Sequence, residues 1–196
     1  MSRRMTLPAL LRACAITLTL AGCAAGTPTG APDVVTFGGT TYVNVDATSR
    51  GSLNVTRYAY ESAAPVGPQA PREVLAFAVV EDVHDAAGLS GLAAEFGESC
   101  REPDCRFVRK APAASAGATE LDVVLRSSEG NYVFQRFVLR DVVAEIVGYG
   151  RKAGGQSAAQ ADAWYATHGE ATRDAFLAWS TFPAPQALRK LLGPRR

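Results

Sequence analysis

The sequence predicts an α+β fold, a mostly antiparallel sheet packed by one short and one long helix, and three observations carry that expectation. Short β-type runs separated by turn residues begin at Val34 and recur as far as Tyr149. An unbroken apolar run, residues 74–80, lies in their midst, and the longest stretch with helical spacing, residues 156–179, follows them all.

The first strands are expected over residues 34–37, 42–45 and 53–60. In the third, Leu53, Val55, Arg57 and Ala59 alternate with Asn54, Thr56, Tyr58 and Tyr60, the period of a strand with two unlike faces. Gly38, Gly39 and Gly51 mark turns. A proline-rich loop (Pro65, Pro68, Pro71) leads to residues 74–80, whose continuous apolar character predicts a central strand covered on both faces. Asp85 stands where it would cap a helix in which Leu89, Leu92, Ala93 and Phe96 recur at helical spacing, with Gly97 as its stop.

After a cysteine-bearing loop, residues 106–109, 120–126, 131–139 and 142–149 read as strands. The last three form an antiparallel meander, with Glu129, Gly130 and Asn131 supplying turn chemistry. The long helix is expected to carry Trp164, His168, Ala171, Ala175 and Trp179 along one face. Pro183 and Pro185 end it before a short helix over residues 186–192. Residues 111–118 are small and turn-prone, expected as a surface loop. Residues 34–196 are read as a single globular domain.

Composition narrows the function classes. A chain of 196 residues with 20 Lys plus Arg against 19 Asp plus Glu, 47% hydrophobic residues and 18 glycines is neither collagen-like, coiled-coil nor disordered. Balanced charge also argues against a nucleic-acid partner.

The N-terminus carries an address. Arg3, Arg4 and Arg12 give a positive start, and residues 13–21 follow without a charge. That run is too short for a spanning helix, which needs about 20 apolar residues, but it fits the core of a secretory signal, roughly 7 to 15 residues long. It ends on Leu20, Ala21, Gly22 and Cys23, and on these residues the N-terminus resembles that of a bacterial lipoprotein precursor. The resemblance covers residues 1–23 alone.

The resemblance implies a signal peptide over residues 1–22, cleavage between Gly22 and Cys23, a diacylglyceryl thioether on the Cys23 sulfur and acylation of the new amino group. Each buried methylene contributes about 0.8 kcal/mol, so two or three acyl chains together hold nearly permanently. Ala24 follows the cysteine where an aspartate often retains such lipoproteins in the inner membrane, so the periplasmic face of the outer membrane is favoured over the inner one. Ser2, Arg3, Arg4, Met5, Thr6 and Leu7 also resemble a twin-arginine export motif. Thr6 and Pro8 depart from its pattern, and the general secretory route remains the alternative.

Loss of Arg3, Arg4 and Arg12 with the signal leaves the mature chain slightly acidic. Residues 23–33 then consist of the lipidated cysteine and a tether with Gly26, Pro28, Gly30 and Pro32. Ten such residues reach at most about 33–36 Å, which limits partners to those near the membrane.

Cys100 and Cys105 flank four residues in a loop expected outside the cytoplasm, where paired thiols oxidise. A disulfide is expected there, stabilising by about 2 kcal/mol in the chain-entropy model; a redox pair would sit closer together, at a helix start. Cys100, Cys105, His84 and His168 are the right atom types for zinc, but they lack the two close ligand pairs of structural sites, so no metal is expected. His84, with Glu81, Asp82 and Asp85, ends the predicted central strand, and a hydrolase would use it with Ser90 or Ser99 as nucleophile. No nucleophile elbow accompanies it, since Gly88 stands one place too near Ser90. The plainer reading is a solvated cluster in which Asp85 caps the helix.

His168 is expected to pack between the tryptophans. Gly154, Gly155 and Gln156 lack the Lys and Ser or Thr of a phosphate loop, so neither nucleotide nor other cofactor is indicated. Arg189, Lys190, Arg195 and Arg196 form either a frayed tail or a contact to anionic headgroups. Tyr58, Tyr60, Tyr132 and Phe134 are core, or else a contact patch if no helix covers them.

Together these expectations describe a non-catalytic, lipid-anchored envelope protein with a binding or assembly role beside another envelope protein. An envelope hydrolase using His84 and a small-ligand or lipid carrier are the alternatives. Mass spectrometry of the mature chain is expected to find Cys23 acylated at its terminus, and Cys23→Ser to move the protein from the membrane to the soluble fraction. An unmodified Cys23 in membrane-bound protein would overturn the assignment.

Overall fold

A computed structural model describes residues 33–50, 55–62, 70–100, 103–109 and 120–192. Gly22, Cys23 and residues 24–32, with the small-residue patch at 111–118, lie outside the described residues. The strands are β1 (Val34–Phe37), β2 (Thr40–Arg50), β3 (Val55–Ser62), β4 (Arg72–Val80), β5 (Cys105–Arg109), β6 (Glu120–Ser127), β7 (Tyr132–Arg140) and β8 (Val143–Lys152). Helix α1 (Ala86–Ser99) lies between β4 and β5, and α2 (Ala158–Trp164), α3 (Glu170–Ala178) and α4 (Pro185–Arg189) follow β8. All eight strands form one antiparallel sheet in the order β1-β2-β3-β4-β8-β7-β6-β5. The expected α+β architecture is therefore present, as two four-stranded meanders back to back with β4 and β8 at the centre.

Strand pairing puts unlike rows on the two faces. Tyr60, Leu75, Tyr149 and Phe134 stand side by side across β3, β4, β8 and β7, and all are buried. One residue along each strand, and so on the opposite face, the row reads Ala59, Ala76, Gly148 and Gln135.

The first face is closed by α2, α3 and α4. Ser157 caps α2 through a reciprocal pair with Gln160: its hydroxyl accepts from the Gln160 amide at 3.3 Å, and its own amide donates to the Gln160 carboxamide at 2.8 Å. Phe176, Trp179 and Phe182 pack on Phe37 and Phe77. Buried Arg136, on β7, donates to the carbonyls of Phe176 (3.1 Å) and Trp179 (2.8 Å) and to Glu120. A cation thus meets the negative end of α3 and satisfies carbonyls that the helix leaves unpaired. Arg189, expected in a basic tail, is held instead by Glu81 through two bonds of 2.8 and 2.6 Å, which fastens α4 to the end of β4.

Two expectations need correction. His168, Ala171 and Ala175 are exposed and Trp164 is half-buried; the buried positions are Ala161, Gly169, Phe176 and Trp179. The cause is a π-helical turn, Tyr165–Gly169, between α2 and α3. One extra residue in that turn rotates everything after it by about 100° relative to an unbroken α-helix. Secondly, β4 is not covered on both faces along its length. Leu75, Phe77 and Val79 lie under the helix layer and Val80 under α1, but Ala76 is exposed. Tyr58, Tyr60, Tyr132 and Phe134 are core, at most 2% exposed.

Gly169 is what permits the π turn. A Cβ there would lie 2.5 Å from Cδ2 of Tyr165, whose ring folds back along the helix to stack on Tyr132 at 4.5 Å and 7°. Gly169→Ala is expected to destabilise by about 1–3 kcal/mol through overpacking, read as a lower urea midpoint. An unchanged midpoint would mean that the stack is not constrained in this way.

Candidate functional site

The uncovered half of the second face is set by how α1 is tethered. Asp85 begins the helix, accepting from the Gly88 amide at 2.7 Å. At the other end the Cys100 and Cys105 sulfurs are at bonding distance, with Cα atoms 5.0 Å apart, as the spacing led one to expect. Between these points α1 must travel from central β4 to β5 at the edge. Leu89, Leu92, Ala93 and Phe96 therefore settle on Leu121, Val123, Leu125, Phe137 and Ala144, over β6, β7 and β8. Nothing among the described residues covers the neighbouring strands β2, β3 and β4 on this face in the same way.

An open trough of about 520 Å³ results. Its floor is Ala59, Ala76, Ala78 and Gly148, its wall is Phe96 with Ile146, and Asp46, Thr48 and Arg57 stand at the far side. The floor is not small because packing requires it: a Cβ on Gly148 would meet only ordinary contacts, 3.6 Å to the Ala76 carbonyl oxygen and 3.9 Å to Gln135 Cγ.

Gln135 lines the trough with its carboxamide oxygen buried and without a donor. Such an unsatisfied acceptor costs about 1–3 kcal/mol. Arg57 is exposed and makes no ion pair among the described residues. Asp46 accepts from the Thr48 hydroxyl at 3.4 Å at the far side, and the small apolar floor, unused acceptor and unpaired cation make a surface suited to receiving another molecule.

Two smaller recesses lie elsewhere, each about 340 Å³. One, between the β1–β2 hairpin and the long helix, holds Tyr42, whose hydroxyl donates to Glu73 at 2.9 Å, and Tyr149. Burial, then the Glu73 charge, pushes both phenols well above the ordinary range. His168 stands at its rim, its ring 6.2 Å from that of Trp164. It is not between the two tryptophans, because the π turn directs Trp179 toward Phe37 and Phe77 instead. In the other recess Asp162 accepts from Tyr132 (2.6 Å) and Arg126 (2.5 Å), and these two bonds hold its carboxyl low.

His84 is exposed and lines none of the three recesses. Its Nδ1 donates to the carbonyl of Val142 at 2.7 Å, a residue held at φ 58° in the two-residue β7–β8 turn, where a β-branched side chain is strained. Asp85 is occupied by its helix cap, Asp82 is exposed, and His84 has no hydroxyl partner among the described residues. Cys100, Cys105, His84 and His168 are not gathered into a ligand set; among the described residues no three His, Cys, Asp or Glu side chains are grouped to hold a metal. Sequence reasoning did not single out Gln135, Ala59, Ala76 or Gly148. The available signal was the run of small residues along β4 and β8, at 76, 78, 148 and 150.

Buried without a partner on either oxygen, Glu145 sits on β8 between Val79 and Val138. Burial pushes its carboxyl up to about 8, with Asp141 adding and Arg140 and Arg136 opposing.

No protein-family model matches the chain, and comparison with curated proteins and with solved structures returns no match to either.

Between its ordinary value of 4.5 and about 8, Glu145 holds its proton in the folded state and loses it in the unfolded one. Folding stability contributed by this group is therefore full below the lower value and falls as pH rises through that window. Urea denaturation at pH 5 and pH 8.5 is expected to show a loss on the order of a few kcal/mol, and Glu145→Gln to flatten it. Equal slopes for both proteins would refute the assignment.

Proposed function

We propose that this chain is a lipid-anchored protein of a bacterial cell envelope that acts by binding, without catalysis, through the open half of its sheet beside α1. One observation supports the reading above others: the trough combines an exposed central-strand residue, Ala76, with a buried acceptor on Gln135 that nothing within the described residues satisfies. An antiparallel sheet can leave one face in water, but a buried acceptor left unpaired beside that bare face marks a place where another molecule can supply the donor.

The anchoring half of the proposal rests on Leu20, Ala21, Gly22 and Cys23. No described helix is long and apolar enough to cross a membrane. A tether of about ten residues would hold the start of the fold at Val34 within roughly 35 Å of the bilayer, where partners are other envelope components. Outer-membrane placement follows Ala24. The catalytic alternative would need His84 beside a hydroxyl, and the carrier alternative would need a deep apolar cavity under the long helix, where the recess present contains the Tyr42–Glu73 pair.

A photoreactive residue at Ala59 in the lipidated protein is expected to cross-link to a polypeptide in the native envelope. The same photoreactive residue at Ala163, exposed on helix α2 over the other face, would serve as the comparison. The adduct should diminish when Cys23→Ser releases the chain. Absence of any adduct from Ala59 would remove the binding reading.

A further inference from the structure

We infer that the trough receives helix α1 of a second copy of this chain, reciprocally, so that each copy's α1 covers the half-sheet its partner leaves bare. The inference rests on the binding reading above and names the occupant of that same surface.

Strand order places two four-stranded meanders on either side of the β4–β8 junction, and α1 covers mainly the β5–β8 side of this face, reaching past the junction at Val80 with Val55 beside it. A twofold axis parallel to the strands, above the β4–β8 junction and midway between two facing sheets, carries α1 of one copy onto the β1–β4 side of the other. Two sheets then enclose one layer made of two helices, whose first turns meet above the junction. Isologous contacts of this kind close on themselves, each patch meeting its own complement.

The outer side of α1 fits that position. Ala87, Gly91 and Ala94 fall together on it at helical spacing, and all three are exposed. Leu89, Leu92, Ala93 and Phe96 hold the inner side against the helix's own sheet. Ala87, Gly91 and Ala94 leave this side of the helix, short of exposed Glu98, open to a second covering layer, and in the single chain α1 has only one. Gly91 sharpens the point: a Cβ there would meet nothing within 4 Å, and glycine inside a helix costs about 0.5–1 kcal/mol relative to alanine. Its own fold gives it no reason to be glycine, whereas close approach to the Ala59–Ala76–Ala78 floor does.

Charge agrees with shape. Glu95 is exposed on the outer flank of α1, and Arg57 at the trough is exposed without an ion pair among the described residues. Reciprocal docking supplies each Arg57 with the Glu95 of the other copy, twice per pair.

The test uses the full lipidated chain in detergent and its Cys23→Ser form in buffer, with mass measured by sedimentation. A two-copy mass is expected for both. Gly91→Arg, which has open space in the single chain, should give a one-copy mass with unchanged circular dichroism and a thermal midpoint that no longer rises with protein concentration. Arg57→Glu should weaken association about tenfold or more by facing two carboxylates together, and Arg57→Glu with Glu95→Arg should restore it to within about threefold. A two-copy mass that Gly91→Arg leaves intact would overturn the inference. So would a one-copy wild type; if Ala59 then still cross-links to a different envelope protein, the binding reading survives alone, and if it cross-links to nothing, both fall.

Discussion

Fourteen residues of α-helix make a rod about 21 Å long and 10 Å wide, whereas eight strands about 4.8 Å apart make a sheet about 34 Å across. Helix α1 therefore closes part of its face and no more. Its position within that face is not free, because the short segment 81–85 joins one end to central β4 and the Cys100–Cys105 pair ties the other to edge strand β5. From this constraint come the bare row of Ala59, Ala76 and Gly148, the stranded acceptor of Gln135 and the exposure of a strand at the middle of the sheet. The opposite face has a longer cover, under which Leu75, Phe77 and Val79 of central β4 are all buried.

That opposite face works by aromatic packing locked by polar clamps. Phe37, Phe176, Trp179 and Phe182 form its centre, Arg136 secures the end of α3, and the Arg189–Glu81 pair secures α4. Arg173 on α3 reaches Asp122 on β6 at 2.7 Å, and Arg126 reaches Asp162 on α2. Each partly buried pair joins helix to strand, so the ion pairs position elements as well as stabilise them. A rigid half of this kind suits a protein whose other half is an interaction surface, because a surface held by packed strands needs little reordering on binding.

Glu145 stands apart from both functions. It lies inside the packed half, has no hydrogen-bond partner and opens on none of the three recesses. Its neighbours Asp141 and Val142 occupy left-handed backbone in the β7–β8 turn, and Val142 also holds His84. The histidine singled out by chemistry in the sequence is thus joined to a strained turn rather than to a nucleophile. In this place the usual logic of perturbed groups marking active sites fails for a simple reason: the carboxyl is perturbed by burial among apolar side chains, not by convergence with other reactive groups.

Local patterning was enough to read the fold class, the strand positions to within a few residues, the cap at Asp85 and the pairing of Cys100 with Cys105, because each depends on residues close in sequence. Alternation in residues 53–60 identified two faces, and Asp85 with Leu89 identified a helix start. What local patterning could not say was which face would be buried, since Val55, Arg57 and Ala59 are as apolar in sum as their neighbours until a helix chooses a side. The π turn at Tyr165–Gly169 is likewise invisible to a 3.6-residue period, and it alone moved His168 to the surface. The trough was decided by tertiary structure entirely: Ala59, Ala76, Gly148 and Gln135 are spread over 90 positions of chain and become neighbours only through strand register. The lipid-anchor expectation is the reverse case, carried by four consecutive residues whose meaning lies in enzymes that read them as a linear motif and needs no fold at all.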